Sequence, residues 1–345
     1  MVFGFECEAL MKAYQEHLKI QEANLAPSPW HGSIPIDYAI DCLILNVDLN
    51  QTIVAVDKVQ GKNIDKIVLT ALTIAVKGMW QENGKYESFY DYAYGEGVRL
   101  GRDRFEKKKI KEEIIKSFFS VLHKADIAFH DQMFEIYQSA VAIRKKQKTI
   151  VSQSFYNLIE TLQTCKIPFR IILRTFGNEG NEVAKEIQKH TQINFKTGTF
   201  NENYSFEYGG ETKEIIEMIA LKKVFSLMQL DHWCIKDNWL HWNINGEKFD
   251  SGKLFLFDLS SRVHSMFFDD NIFPSGSIKN IVHPFCVTPF CQGTDSKIDE
   301  LISRKILVPV DFLQTIFDEH YFEKHVIESL KIRSIKDNTA DNPAA

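Results

Sequence analysis

The chain has 345 residues, 44% hydrophobic and 25% charged, which is enough apolar material for a full core and for two lobes. A formal charge of −5 and a pI near 6.1 provide no global field to draw in nucleic acid or an anionic membrane, so non-specific polyanion binding is disfavoured. The start, MVFGFECEAL, carries Glu6 and Glu8 where a secretory signal is positive, and the longest apolar run, IVLTALTIAV, is too short to span a bilayer; both point to a cytoplasmic protein without a membrane segment.

Cys42 to Asp48 reads as a central strand, because a short run apolar on both faces is what a parallel sheet covered by helices requires. Its exit, Asp48-Leu49-Asn50-Gln51-Thr52, packs a carboxylate, an amide and a hydroxyl into one turn. The following stretch is mainly helical on its period and predicts a helical lobe over residues 58–149. Ile110, Ile114, Ile115, Phe118, Phe119 and Leu122 share one helical face, and Met133, Phe134, Ile136, Tyr137, Ala140 and Val141 form a second apolar stripe. Within this lobe GEGVRLG, Gly95 to Gly101, lacks the spacing of a phosphate-cradling loop and has no apolar strand leading into it, so it reads as a plain turn. The basic clusters EKKKIKEE and RKKQK read as solvated helix faces.

Beyond the lobe, SQSFYNLIETLQTCKIP is an amphipathic helix stopped by Pro168, FRIILRTFG (Phe169 to Gly177) is a second strand, and NEGNEVAKEIQKH resumes helical spacing. An insertion is expected at about residues 192–250. It contains a helix with apolar positions Ile215, Ile216, Met218, Ile219, Leu221, Val224, Phe225 and Met228, then a stretch holding Trp233, Trp239 and Trp242 that reads as core, with a pocket wall as the alternative. A third strand, VHSMFFDDN, ends abruptly in carboxylates, and the tail 335–345 reads as disordered. Strands interleaved with helices predict an α/β fold with a doubly wound, mostly parallel sheet, formed by residues 1–57 and 150–334, that collects ligands outside the carboxyl ends of its strands. The six scattered cysteines suit reduced thiols, and His283, Cys286 and Cys291 lack a fourth ligand at zinc spacing.

Three strands therefore end in polar residues: Asp48 to Thr52, Thr175, and Asp269-Asp270. Converging carboxylates repel one another unless a cation sits among them, and hard oxygen ligands with room for waters suit Mg²⁺. Thr175, donating a hydrogen bond at a helix amino terminus, and Lys253, a point charge, would complete a pocket for a phosphoryl group; Lys222, Lys223 and Lys248 are the other lysines that could fill the second role. The carboxylate closest to phosphorus could then act as a nucleophile.

In this order the residues resemble the haloacid dehalogenase-like (HAD) phosphohydrolase superfamily, over about residues 40–310. The resemblance places Asp48 on the family's nucleophile and Thr52 on the threonine of its first motif, Thr175 on the second motif, Lys253 on the third with Leu254 where proline often follows, and Asp269 and Asp270 on the paired acids of the fourth. It implies a Rossmann-like core with an inserted cap, and a Mg²⁺ ion held by Asp48, the backbone carbonyl of Asn50, Asp270 directly and Asp269 as a second or more distant ligand. One departure stands out. Asn50 occupies the place of the aspartate that, in the family, protonates the leaving group and later deprotonates water, and such assistance is worth about 10²–10⁴-fold. The expected function is a Mg²⁺-dependent phosphohydrolase or phosphotransferase acting on a phosphorylated small molecule or phosphoprotein. The alternatives are a phospho-ligand-binding or interaction protein that has kept the scaffold, and a nucleic-acid binder using the basic helices.

Overall fold

A computed structural model describes residues 5–22, 40–54, 63–81, 84–201, 205–213, 218–274, 280–288 and 298–340. In chain order the elements are α1 (Glu8–Glu22), β1 (Cys42–Asp48), α2 (Ile64–Ala75), β2 (Lys77–Met79), β3 (Tyr86–Ser88), α3 (Phe89–Leu100), α4 (Arg104–Lys116), α5 (Phe118–Ala125) and α6 (Ile127–Lys146). They continue with α7 (Gln153–Thr164), β4 (Phe169–Thr175), α8 (Gly180–Thr191), β5 (Phe195–Phe200), β6 (Phe206–Tyr208), β7 (Glu211–Lys213), α9 (Met218–Leu230), β8 (His232–Lys236) and α10 (Trp239–Ile244). Last come β9 (Lys253–Phe257), β10 (Val263–Asp269), β11 (Val282–Cys286), α11 (Ile298–Ser303), β12 (Leu307–Pro309), α12 (Phe312–Phe317) and α13 (Tyr321–Ala340).

The central sheet runs β12-β10-β1-β4-β8-β5-β6-β7, parallel from β12 to β5 and antiparallel at the β6 and β7 edge. Every residue of β1 and β10 is buried, so both faces of the sheet need cover. Successive side chains of β1 supply it alternately: Leu43, Leu45 and Val47 pack with Phe155 and Leu158 of α7, Val183 and Ile187 of α8, and Phe322 and Val326 of α13. Cys42 and Ile44 pack with Val224, Phe225 and Met228 of α9 and with Trp233 and Ile235 of β8. The molecule is thus an α/β protein with a mostly parallel sheet.

The chain divides into two compact units, Met1–Ser28 with Ala55–Lys148 and Asp311–Asp318, and Pro29–Val54 with Thr149–Val310 and Glu319–Ala345. The first is helical, with a core in which Leu10 and Tyr14 of α1 and Phe312, Leu313, Ile316 and Phe317 of α12 pack with Ile67, Val68, Phe89, Phe118 and Met133. The expected sheet domain takes in 1–57 and 150–334, whereas 1–28, 55–57 and 311–318 fall in the helical unit. The boundaries differ because a short amphipathic helix carries no mark of which core will bury its apolar face.

Four further expectations change. Residues 192–250 are no insertion into the sheet domain: β5 and β8 extend the parallel sheet next to β4. GEGVRLG lies inside and just after α3 rather than forming a turn, and its glycine has a packing reason, since a Cβ on Gly97 would stand 2.7 Å from the Lys107 carbonyl oxygen of α4. The helical face from Ile110 to Leu122 breaks at Ser117, whose hydroxyl donates to the Ile114 carbonyl, separating α4 from α5. Helix α13 continues to Ala340, past the expected start of a disordered tail, while 341–345, Ile215, Ile216 and Cys291 lie outside the described residues. Among the described residues no helix is long and apolar enough to cross a membrane.

Candidate functional site

The strand order puts β10, β1 and β4 side by side and parallel, so their carboxyl ends open on one edge. The chain proceeds from β1 to one side and later returns to β10 on the other, the kind of switch point where parallel sheets leave a crevice. Asp48 closes β1, Thr175 closes β4 and Asp269 closes β10. All three are buried.

Lys253, 2% exposed, reaches this edge from the first position of β9, which pairs with β11 in a separate parallel ribbon. Its Nζ donates to Asp48 Oδ1 and, at 2.7 Å, to Asp269 Oδ2. Of the four lysines open to the sequence reading, the structure brings this one to the carboxylates; Lys222 and Lys223 lie exposed on α9. Thr52 stitches the strand exits together, its Oγ1 donating to Asp48 Oδ2 at 3.3 Å and accepting from the Asp270 N–H at 3.2 Å. Between Asp48 and Thr52 the chain turns through a left-handed Gln51, at φ 62°. Asn271 braces the acids, its N–H on Asp269 Oδ1 and its side-chain amide on Asp270 Oδ1, each at 2.9 Å.

Burial pushes the Asp48 carboxyl up to about 7; Lys253 opposes that shift and Asp269 adds to it. Asp270 is driven well above the usual carboxylate range by burial and then by Asp269 and Asp48. Burial would lower the Lys253 ammonium, but Asp269 and Asp48 outweigh it and hold the group above its ordinary value. Oxygens of Asp48, Asp269 and Asp270 lie within 4.8 Å of one another. Fully ionised, the three carboxylates would outnumber the one ammonium, and the upward shifts of Asp48 and Asp270 express burial together with that repulsion; the donor set is all oxygen.

The Thr175 hydroxyl is already engaged, donating to Glu179 Oε1 at 2.6 Å and accepting from the Gly177 N–H at 2.9 Å. Asn50 Nδ2 donates to the same Glu179 oxygen at 2.7 Å. Sequence reasoning passed over Glu179 as one more helix residue. The available signal was a carboxylate just ahead of a helix and four positions beyond Thr175.

Arg174 was also missed. Fully buried, it donates to both carboxylate oxygens of Asp237, to the Leu254 carbonyl at 2.8 Å and to Asn46 Oδ1 at 3.3 Å. It thereby ties β4 to the residue following Lys253. An arginine inside an apolar strand was the cue, since a buried charge needs a partner. Of Trp233, Trp239 and Trp242, the first is core and the second exposed, while Trp242 stacks at 5.6 Å on Phe176, whose ring centre lies 5.2 Å from Lys253 Nζ.

No protein-family model, curated protein or solved structure matches this chain. Fold and site define a class: an α/β protein with a largely buried acid and lysine cluster at the carboxyl edge of its parallel sheet.

Proposed function

We propose that the protein is a Mg²⁺-dependent phosphohydrolase or phosphotransferase of the HAD type, working through an aspartyl-phosphate on Asp48. The observation that carries this reading is Lys253 Nζ held between Asp48 and Asp269, with Asp270 within metal-ligand reach of both. The oxygen-only set, in which three acids that burial and mutual repulsion push toward the neutral form face one ammonium, fits a hard divalent cation, and Asp48, Asp269, Asp270 and the Asn50 carbonyl would hold it. Bound there, Mg²⁺ would neutralise charge on the phosphoryl oxygens.

The chain's own groups do the rest. Asp48 supplies the attacking oxygen, with Lys253 placed to meet the phosphoryl charge as it develops. Thr175 has one hydroxyl proton, which can go to Glu179 or to a phosphoryl oxygen but not to both. Phosphoryl binding therefore draws Thr175 away from Glu179. The main segment of the helical unit, Ala55–Lys148, stands between β1 and α7 in the chain, where the family carries its cap, and the reading gives that unit the selection of substrate.

A second reading, a phospho-ligand-binding protein with little hydrolysis, is favoured by Asn50, whose amide can neither give nor take the protons of the reaction. The deciding measurement is phosphate release from an aryl phosphate, a panel of phosphometabolites and phosphopeptides, with and without Mg²⁺. Mg²⁺-dependent turnover that vanishes in Asp48→Asn is expected of the enzyme. Turnover untouched by Asp48→Asn would overturn the assignment, and a silent wild type that becomes active as Asn50→Asp would establish the second reading.

A further inference from the structure

A phosphoryl group seated at Asp48 and Lys253 leaves the organic part of the substrate unassigned, and the inference drawn here rests on that phosphoryl reading. Lys253 Nζ directs two of its three N–H groups at Asp48 and Asp269, and over the Phe176 ring it stands 5.2 Å from the ring centre. A phosphoryl oxygen bonded to that ammonium at about 2.8 Å stays within about 8 Å of the ring centre in any direction, so the first atoms of the ester group are in range of Phe176. We propose that Phe176 and Trp242 form the wall that recognises this group, and that the substrate is the phosphate ester of an aromatic alcohol.

Three observations carry it. The first is that the wall is flat, apolar and already built. Phe176 follows Thr175 directly at the end of β4, and Trp242 stacks on it at 5.6 Å with the ring planes 21° apart. Both rings pack on the cluster that holds Phe255, Phe257, Phe267 and Ile272, which gives them a rigid backing, and both keep part of their surface open to solvent. The second is an orphan donor: Trp242 Nε1 is buried and has no hydrogen-bond partner among the described residues. Buried indoles seldom stay in that state unless a ligand or water supplies the acceptor. The third is that the apolar surface continues away from the acids. Strand β8 lies beside β4 with Lys236 opposite Thr175, so α10, which follows β8, starts from the same edge. On it Trp239 stands one turn from Trp242, and Trp239, Leu240 and Ile244 are all exposed.

These faces discriminate by chemistry. A sugar or polyol phosphate would press hydroxyl groups against rings that give them no acceptor, and their lost hydration would go uncompensated. An aromatic group buries apolar area there and, meeting rings of fixed position, gains the offset or edge-on contact that aromatic pairs add to their buried area. Phe176 and Trp242 are thus specificity-determining residues for the ester group, while Asp48 and Lys253 handle the phosphoryl group whatever it is attached to. An aromatic alcohol of this kind has two sources, a free small molecule or a tyrosine side chain in a protein.

The test is calorimetric and needs no turnover. Benzylphosphonate, methylphosphonate and 2,3-dihydroxypropylphosphonate are titrated with Mg²⁺ into wild type, Trp242→Leu, Trp242→Phe and Phe176→Leu. Wild type is expected to bind benzylphosphonate about 10–100-fold tighter than methylphosphonate, with the dihydroxypropyl compound close to the latter. Trp242→Leu should cut the benzyl preference by about 3–10-fold and leave methylphosphonate affinity unchanged, whereas Trp242→Phe, which keeps a flat ring, should retain most of it. A merely structural role for Trp242 would move both affinities together. If Trp242→Leu fails to fold, Phe176→Leu should show the same selective loss. A peptide bearing phosphonomethyl-phenylalanine separates the sources: tighter binding than benzylphosphonate assigns the ester to a protein tyrosine, weaker binding to a free small molecule, and either upholds the aromatic ester. Methylphosphonate binding with a benzyl preference below about threefold, or with the dihydroxypropyl compound as tight as the benzyl one, would overturn the wall and leave the phosphoryl reading intact. A benzyl preference that survives in both leucine variants would also overturn it. Failure of wild type to bind any phosphonate or inorganic phosphate would sink both.

Discussion

Lys253→Met is the most direct probe of the charge balance at the strand ends. The ammonium lies 2.7 Å from Asp269 and is 2% exposed, and at an effective dielectric of about 20 one such contact amounts to about 6 kcal/mol of Coulomb attraction. Desolvation of both ions offsets much of that, so the expected loss on truncation is about 3–5 kcal/mol, most of it from carboxylates left without a counter-charge. Lys196 provides an internal control, because its Nζ lies at the same 2.7 Å from Asp231 but the side chain is 60% exposed. Lys196→Met should cost at most about 1 kcal/mol. Equilibrium urea unfolding in EDTA measures both. Repeated with Mg²⁺ at about 100 times its dissociation constant, the unfolding free energy should rise by roughly 2.7 kcal/mol if the cation binds only the folded chain. Equal costs for the two lysines would refute the claim that burial, rather than distance, sets the worth of these ion pairs. A Mg²⁺-independent curve for both wild type and Lys253→Met would count against a cation among the acids.

Arg174→Met should destabilise by about 3–5 kcal/mol, because it leaves the Asp237 carboxylate buried and unpaired, and a loss below about 1 kcal/mol in urea unfolding would contradict that. It should also weaken catalysis by releasing the Leu254 carbonyl, and with it the placement of Lys253. His264 gives the clearest pH dependence. Burial, then Arg333, lowers it from 6.5 to about 3, and with Arg333 donating to Nδ1 the proton sits on Nε2 and points to Ser329. Since the folded state favours the neutral ring, the stabilisation is complete above about pH 6.5 and is lost as pH falls towards 3, at up to about 1.4 kcal/mol per pH unit. His264→Asn should remove that slope from the pH dependence of unfolding; parallel curves for the two proteins would refute it.

The sheet's centre was legible because β1, β4 and β10 are short apolar runs ending in polar clusters, which is what burial on two faces followed by exit at an edge demands. Strand β8, His232-Trp-Cys-Ile-Lys, escaped notice because polar ends and a tryptophan disguise three consecutive buried positions. Strand β5 escaped for a different reason, since Phe195-Lys-Thr-Gly-Thr-Phe shows apolar side chains only at its ends. Lys253 could be nominated but not selected, because what selects it is the docking of β9 on β11, a pairing without local signature. Glu179 meets Asn50 across 129 positions of chain. No spacing rule reaches that far, and only the adjacency of β1 and β4 brings the two together.

That adjacency also constrains what residue 50 can be. With Glu179 Oε1 2.7 Å from the Asn50 amide, an aspartate at 50 would set two carboxylates in hydrogen-bond contact, and one would have to take up a proton to stay there. Asparagine at 50 and glutamate at 179 are thus complementary, one donating and the other accepting. The swap of both, Asn50→Asp with Glu179→Gln, restores a donor and an acceptor in reversed places. A double-mutant cycle on unfolding free energy at neutral pH should therefore show the double variant more stable than the two single losses predict, with a coupling of about 0.5–3 kcal/mol. Additive losses would mean that the contact contributes nothing, and that Asn50 is tolerated for reasons unconnected with Glu179.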